Sequence, residues 1–171
     1  MNISEATSNG LSTLAMLISE SNKDVALQFG LNASNCPKHP SFCTPEWVKA
    51  DFARGEKYFI IAENATPIGC VAYESPRAGI AYLNRLSVLP KHRKRGVGTR
   101  LVEHFIQYAE MQAVQVISIG VIAQHLELQR WYRALGFKDG DSKAFPHLPF
   151  MVKYMSYSFA PEVALSTELR A

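Results

Sequence analysis

Segment 91–100, KHRKRGVGTR, concentrates the residue types that bind phosphate. It holds five of the 18 basic residues of the chain, no acidic residue, and the glycines Gly96 and Gly98. Glycine lets the backbone turn tightly and approach a ligand, and the free N–H groups at a helix N-terminus attract anions. Arginine and lysine add charge-assisted hydrogen bonds to phosphate oxygens. We therefore expect this segment to hold a small phosphorylated ligand.

The basic charge of the chain is local. The formal net charge is +3, yet the residues outside 91–100 comprise 13 basic and 15 acidic side chains. A surface that binds nucleic acid is usually basic over a wide area, so this distribution favours a small anionic ligand. A nucleic-acid-binding domain that uses 91–100 is the alternative. The segment is neither a P-loop, because no Gly-Lys-Ser/Thr closes it, nor a dinucleotide fingerprint, because Leu101 replaces the third glycine.

The hydrophobic pattern places a strand before this segment and a helix after it. Apolar runs and alternation predict strands over 57–63, 67–74, 79–89, 113–123 and 150–159. Helical spacing predicts helices over 9–21, 23–29, 44–55, 99–112 and 126–137. This order predicts a mixed α/β sheet in one domain over 1–171. The tail after about residue 160 shows no pattern, and we expect it to be partly disordered.

Composition indicates a cytoplasmic globular protein. Hydrophobic residues make up 47% and charged residues 19% of the 171 residues, an ordinary balance for one domain with a sizeable core. No apolar run approaches the ~20 residues that span a bilayer, and the first residues lack the features of a signal peptide. The three cysteines do not indicate a disulfide scaffold.

The segment LSVLPKHRKRGVGTRLVEHFIQYA resembles the coenzyme A-binding motif of the GNAT superfamily of N-acetyltransferases. That motif reads Arg/Gln-x-x-Gly-x-Gly/Ala after Val-x-Pro, and here it is Arg93 to Gly98, with Val88 and Pro90 upstream. The segment LQRWYRALGF resembles the second signature of the superfamily, an aromatic-Tyr pair followed by Leu-Gly-Phe. The resemblance implies a mostly antiparallel sheet flanked by helices, with a splayed central strand pair.

The resemblance also implies a site for acetyl-CoA as cosubstrate. The pyrophosphate would lie on the backbone amides of 93–99 near the basic side chains, and the pantetheine arm on the preceding strand. Tyr132 would be the acid that protonates the leaving thiolate, and His125 stands where many members have Asn as a cap or cofactor contact. The implied cofactor-binding residues are Leu86, Ser87, Val88, Arg93, Lys94, Arg95, Gly96, Val97, Gly98, Thr99 and His125.

The implied reaction is direct acetyl transfer to a primary amine of a small molecule or a peptide, without a metal or an acyl-cysteine. Nucleic acid and membrane are not expected as partners, and homodimers are common in the family. The general base stays open, because strand 79–89 has no carboxylate. Candidates are a water relay, a substrate amine of low pKa, and the side chains of Tyr82, Asn84, Arg85, Glu74 and Glu63. A non-catalytic acyl-CoA sensor of the same fold is the alternative.

A second cluster, Cys36, His39 and Cys43, offers three soft metal ligands without a convincing fourth. The two prolines around it indicate a constrained loop. We favour a loop beside the acceptor, with His39, Phe42 and Trp47 as pocket residues, over a zinc site.

Overall fold

A computed structural model describes residues 1–159 of the chain, and the disorder expected after residue 160 lies outside them. Within these residues one seven-stranded sheet is formed, in the order β1-β2-β3-β4-β5-β7-β6. The strands are β1 Asn2–Glu5, β2 Lys57–Glu63, β3 Thr66–Arg77, β4 Ile80–Val88, β5 Val116–Ile122, β6 Lys138–Ala144 and β7 Met151–Ser158. Neighbouring strands are antiparallel except β4 and β5, which are parallel. The mixed α/β fold predicted from the sequence is confirmed.

Four helices flank the sheet within the described residues: α1 Leu11–Gln28, α2 Pro45–Ala53, α3 Val97–Met111 and α4 Leu126–Ala134. The prediction of separate helices over 9–21 and 23–29 was wrong, since α1 continues through both. No proline or glycine interrupts 11–28, so the polar run SNKD forms part of one continuous helix. In the part of the chain that the structure describes, no helix is both long and apolar enough to cross a bilayer.

The helices cover opposite faces of the sheet. On the α1 face, Leu14, Leu17 and Val48 pack against Tyr58 and Cys70 of the strands. On the α3 face, a larger cluster joins α3 and α4 to the alternate strand residues, among them Phe59, Leu83, Leu101, Phe105, Ile119 and Tyr132. Successive strand residues point to opposite faces, so Tyr58 and Phe59 enter different cores. β2 and β3 are apolar on both faces because helices pack on both faces of the sheet.

Strands β4 and β5 separate after three residue pairs. Ile80, Ala81 and Tyr82 pair with 116–118, and the two strands then diverge. A bulge accompanies the separation: Asn84 pairs with Ala72 and Ser87 with Cys70, which leaves two β4 residues opposite one β3 residue. One of the two, Arg85, has φ +55°. The splayed central pair implied by the family resemblance is therefore present.

Two strands of the sheet were not predicted. β6, KDGDSKA, is exposed along its whole length, and it pairs with β7 in spite of its polar sequence. β1, NISE, pairs with the edge of β2. Neither stretch has the apolar alternation by which a half-buried strand is recognised, so their strand structure depends on the neighbouring strand.

Candidate active site

The glycine segment lies at the open end of the splayed pair and leads into α3. Pro90–His92 form a short 3-10 turn, and Lys94 and Gly96 adopt left-handed conformations with φ +57° and +77°. The amide of Arg100 is bonded to the carbonyl of Gly96. The amides of 97–99 precede this bond and have no acceptor within the helix, so they can bind an anion.

Gly96 and Gly98 are each required, but for different structural reasons. At Gly98 an added Cβ would lie 3.3 Å from Cζ2 of Trp131, so this glycine allows α3 to approach the indole ring of α4 closely. At Gly96 an added Cβ would meet nothing within 4 Å, and there the requirement is the positive φ. The motif thus shapes both the packing of the helix and the turn that precedes it.

Arg93 is already engaged by the protein. Its amide donates to the Pro90 carbonyl at 3.2 Å, and its Nε donates to the Val88 carbonyl at 3.1 Å. The guanidinium nitrogens donate to the Ser21 carbonyl and to the Asp24 carboxylate. Burial by itself would raise the pKa of the Asp24 carboxyl. The hydrogen bond and the positive charge of Arg93 have the larger combined effect and hold that pKa below its usual value. Arg93 therefore ties α1 to the end of β4 directly ahead of the glycine segment.

The other basic side chains of the motif differ in their partners. Arg95 forms an ion pair with Glu63 at 2.9 Å and lies 3.1 Å from Nδ1 of His92. Lys94 is exposed and forms no ion pair within residues 1–159. A phosphate can reach Lys94 directly, whereas it must compete with Glu63 for Arg95. The phosphate contacts of all three motif cations stay predictions.

The strand predicted to receive the pantetheine arm has an open edge. Ser87 and Val88 pair with Cys70 and Gly69 of β3 on one side. On the other side β5 has diverged, and among residues 1–159 its residues 119–122 pair with β7 alone. A strand edge without a partner offers unpaired N–H and C=O groups. Residues 86–88 and 119–122 thus form the two sides of an opening that ends near the helix amides of 97–99.

Tyr132 packs into the core on the α3 face of the sheet from α4. It is 4% exposed and belongs to the buried cluster that includes Leu83 and Ile119, the residues at which β4 and β5 begin to separate. The rings of Trp131 and Phe137 lie 4.9 and 5.2 Å from its ring centroid. Burial raises the pKa of Tyr132 well above its usual value. Its hydroxyl makes no hydrogen bond to residues 1–159, and burial keeps it protonated.

His125 is the N-cap of α4. Its Nδ1 accepts from the amide of Leu128 at 3.4 Å, and its ring packs 5.3 Å from that of Phe29. Burial lowers the pKa of His125, which favours the neutral ring that can accept this bond. His125 therefore caps the helix, as the family resemblance implies for Asn in many members. Its contact with the cofactor stays a prediction.

The polar residues weighed as a base lie on the α1 face. Asn84 donates to the Glu74 carboxylate at 2.7 Å across the β3–β4 pair. Tyr82, which pairs with Glu74, is 40% exposed. Glu63 lies instead at the β2–β3 turn and is paired with Arg95. β4 has no carboxylate of its own, but the Glu74 carboxylate of the neighbouring strand β3 lies beside it.

A buried charge cluster under α2 was not found from the sequence. Asp51 is 2% exposed and accepts from the Tyr58 hydroxyl at 2.5 Å. Arg54 pairs with the same carboxylate and with Glu56, and Arg85 approaches Asp51 at 3.4 Å. Burial raises the pKa of Tyr58 and of Glu56. The cluster holds the bulged residue Arg85 against α2 and so supports the divergence of β4.

The three cysteines are buried, form no disulfide and lie in two different clusters. Cys43 and Cys70 lie in the core between α1, α2 and the sheet, and Cys36 lies in a smaller cluster near the end of β5. Burial raises the pKa of Cys70 to about 12 and also raises those of Cys36 and Cys43. Residues 1–159 contain no group of three or more His, Cys, Asp or Glu side chains placed to hold a metal ion.

A cleft of about 400 Å³ lies at the other end of the sheet. Its lining residues are Arg54, Gly55, Lys57, Tyr73, Glu74, Ser75, Pro76, Tyr108 and Gln112. Tyr108 and Gln112 stand at the end of α3, ~15–20 Å from the glycine segment at a rise of ~1.5 Å per residue. This cleft is therefore not part of the opening between β4 and β5, although Glu74 borders it.

Comparison with known proteins identifies the family. Residues 28–137 match the model of the Acetyltransferase (GNAT) family, and the chain belongs to that family. A curated relative, the uncharacterized N-acetyltransferase MJ1207 of Methanocaldococcus jannaschii, is 26% identical over 88 residues. That match covers 48% of this chain and 39% of the relative.

Solved structures share the fold. The paiA N-acetyltransferase of Thermoplasma acidophilum, in complex with coenzyme A, superposes with a TM-score of 0.76 at 17% identity, over 93% of this chain and 100% of that one. The ribosomal-protein-S18-alanine N-acetyltransferase of Escherichia coli gives a TM-score of 0.73 at 17% identity, over 94% and 96% of the two chains. The GNAT fold expected from the two sequence signatures is confirmed.

Proposed function

We propose that the chain is an acetyl-CoA-dependent N-acetyltransferase that transfers the acetyl group directly to a primary amine. The observation that carries this proposal is the opening between β4 and β5, which ends at the unpaired helix amides of 97–99. Family membership and the coenzyme A bound to the Thermoplasma acidophilum structure support the same cosubstrate.

The open edge of 86–88 and the amides of 97–99 would bind the two ends of the cosubstrate. Backbone groups on the strand edge suit the amide groups of a pantetheine arm, and the helix N-terminus suits a pyrophosphate. Lys94, exposed beside them, adds a cation. Arg93 acts as a positioning residue, because its hydrogen bonds hold α1 and the end of β4 together.

Tyr132 would act at the leaving sulfur. In direct transfer the neutral amine attacks the thioester carbon, the C–N bond forms, the C–S bond breaks, and the amine loses a proton while the thiolate gains one. Burial keeps the Tyr132 hydroxyl protonated, so it can donate a hydrogen bond to the sulfur as negative charge develops there. If its proton passes to the thiolate, the proton that the amine loses replaces it, so that Tyr132 ends the reaction protonated. The cysteines are poor nucleophiles by the same reasoning, since the thiolate is the reactive form and burial disfavours it.

The experiment is a thiol-release assay with acetyl-CoA and a panel of primary amines, run with the wild type and with Tyr132→Phe. Release that depends on an amine is the expected result. Since Phe retains the ring that packs against Trp131 and Phe137, the variant should keep its melting temperature and lose kcat by ~100-fold or more.

The controls separate transfer from binding alone. Acetyl-CoA should raise the melting temperature of both proteins. Stabilisation without release on any amine would favour a non-catalytic acyl-CoA sensor and would contradict the proposal. An unchanged kcat in Tyr132→Phe would remove Tyr132 from the reaction while leaving the transferase in place.

A further inference from the structure

Part of the α1 face of the sheet is open next to the separation of β4 and β5. Glu74 pairs with Tyr82, Tyr82 with Ser118, and Ser118 with Ser156, so these four residues form one row across β3, β4, β5 and β7. Directly paired residues point to the same side of a sheet. Glu74 stands two residues after Ala72, whose side chain lies in the core under α1, so the row lies on the α1 face.

Two exposed tyrosines border this open area. Tyr82 is 40% and Tyr154 is 36% exposed. Between them the floor consists of the small residues Ser118 and Gly120, and the Tyr154 ring lies beside Gly120, where an added Cβ would be 3.6 Å from Cε1. The two tyrosines stand two strands and two residues apart, or ~12 Å between Cα atoms. We call the region bounded by Glu74, Tyr82, Ser118, Gly120 and Tyr154 the tyrosine trough.

Glu74 is a half-buried carboxylate without a cationic partner at one end of the trough. Asn84 orients it through the 2.7 Å hydrogen bond, and no basic side chain of residues 1–159 forms a salt bridge with it. The nearby bases are committed elsewhere, since Arg54 pairs with Asp51 and Glu56, and Lys57 pairs with Glu5. A partly desolvated carboxylate gains from a cation, and an ammonium can donate charge-assisted hydrogen bonds to it.

We propose that the acceptor is a diamine, a primary alkyl amine that carries a second cationic group and no carboxylate beside it. This inference rests on the proposed acetyl transfer. One ammonium binds Glu74 and the face of the Tyr82 ring, and the carbon chain runs past Tyr82 toward Ser118. The other amine reaches the opening between β4 and β5, where it loses its proton and attacks the thioester. The opening begins one or two residues beyond the row of Glu74 and lies about one and a half strand spacings from β3, which places the two nitrogens ~8–10 Å apart less the reach of the Glu74 side chain.

The test compares three acceptors with the same carbon chain in steady-state assays on the full chain. Cadaverine has both amines, pentylamine lacks the second one, and lysine adds a carboxylate to cadaverine. We expect kcat/KM for cadaverine to exceed those for pentylamine and lysine by about tenfold or more, because a charge-assisted bond to Glu74 is gained and no anion is brought near it.

Glu74→Gln isolates the anchoring carboxylate. It should raise KM for cadaverine about tenfold or more and leave KM for pentylamine within about twofold, with kcat little changed. Glu110→Gln is the matched control, because Glu110 is an exposed carboxylate on α3, on the other face of the sheet, and forms no ion pair within residues 1–159; it should change neither constant. As a second variant, Tyr82→Leu should lower kcat/KM for cadaverine severalfold, whereas Tyr82→Phe should retain most of it.

Two results would overturn the inference while leaving acetyl transfer intact. One is equal or better use of lysine or pentylamine by the wild type. The other is an unchanged KM for cadaverine in Glu74→Gln. Failure of every amine in the larger panel would instead overturn the transferase itself, and the inference with it.

Discussion

Replacing Arg93 tests how the fold holds the glycine segment. Arg93→Ala removes charged donors from the backbone carbonyls of Ser21 and Val88 and removes the ion pair with Asp24. A hydrogen bond from a charged donor is worth ~1.5–3 kcal/mol. The Asp24 side chain is 52% exposed, so its ion pair adds only ~0–1 kcal/mol. Because water can replace part of the lost bonding, we expect the free energy of unfolding to fall by about 2–3 kcal/mol.

The assay is urea denaturation with and without coenzyme A, followed by coenzyme A titrations at several salt concentrations. Arg93→Lys keeps the charge but loses the forked geometry of the guanidinium, so it should recover roughly half of the lost stability. A double-mutant cycle with Asp24→Asn should give a coupling of about 0.5–1 kcal/mol. The affinity for coenzyme A should fall moderately and keep its salt dependence, because the phosphate contacts themselves are unchanged.

The opposite pattern would refute this reasoning. Unchanged stability of Arg93→Ala, together with a large loss of coenzyme A affinity and of its salt dependence, would mean that Arg93 binds phosphate directly. The ion pair with Asp24 would then be secondary.

Three further variants test other parts of the account. Asp51→Ala should lower the free energy of unfolding by about 3–5 kcal/mol, because it leaves Arg85 and the Tyr58 hydroxyl without their buried acceptor. Chemical denaturation measures this loss, and a change under about 1 kcal/mol would contradict the prediction. Gly96→Ala should cost about 1–2 kcal/mol through backbone strain alone, since nothing surrounds the added methyl group; unchanged unfolding would show that φ is not positive in solution. Burial lowers the pKa of His125, so the unfolded chain binds the proton more readily and stability falls as pH falls below 6.5. His125→Asn keeps a side chain that can cap the helix, so the variant should lose less stability than the wild type when the pH falls from ~7.5 to ~5.5. If the free energies of unfolding of the two proteins change with pH in parallel, the prediction is wrong.

The strand–loop–helix core of the site could be predicted from the sequence because its signals are local. Apolar residues of 79–89 and 99–112 recur at strand and helix periods, and the glycines between them are specified by φ and close packing within the segment. The two-residue turn between β2 and β3 is equally local, with Asn64 and Ala65 at φ +49° and +63°.

The partners of the charged residues could not be predicted, because they are distant in sequence. Arg93 meets Asp24 on α1, and Arg95 meets Glu63 at the β2–β3 turn. Asp51 looks like a surface residue of a short helix; Arg54 and Tyr58 are near it in sequence, but its contact with Arg85 depends on the distant β4 bulge. The same holds for Glu74, whose relation to Asn84 and Tyr82 depends on strand register.

The most direct test of the central claim is mass spectrometry of an amine acceptor after incubation with acetyl-CoA carrying an isotopically labelled acetyl group. Direct transfer predicts that the amine gains one labelled acetyl group on nitrogen, that free coenzyme A forms in equal amount, and that the protein itself stays unlabelled. Labelled acetate without labelled amine, or a labelled cysteine on the protein, would contradict direct N-acetyl transfer by this chain.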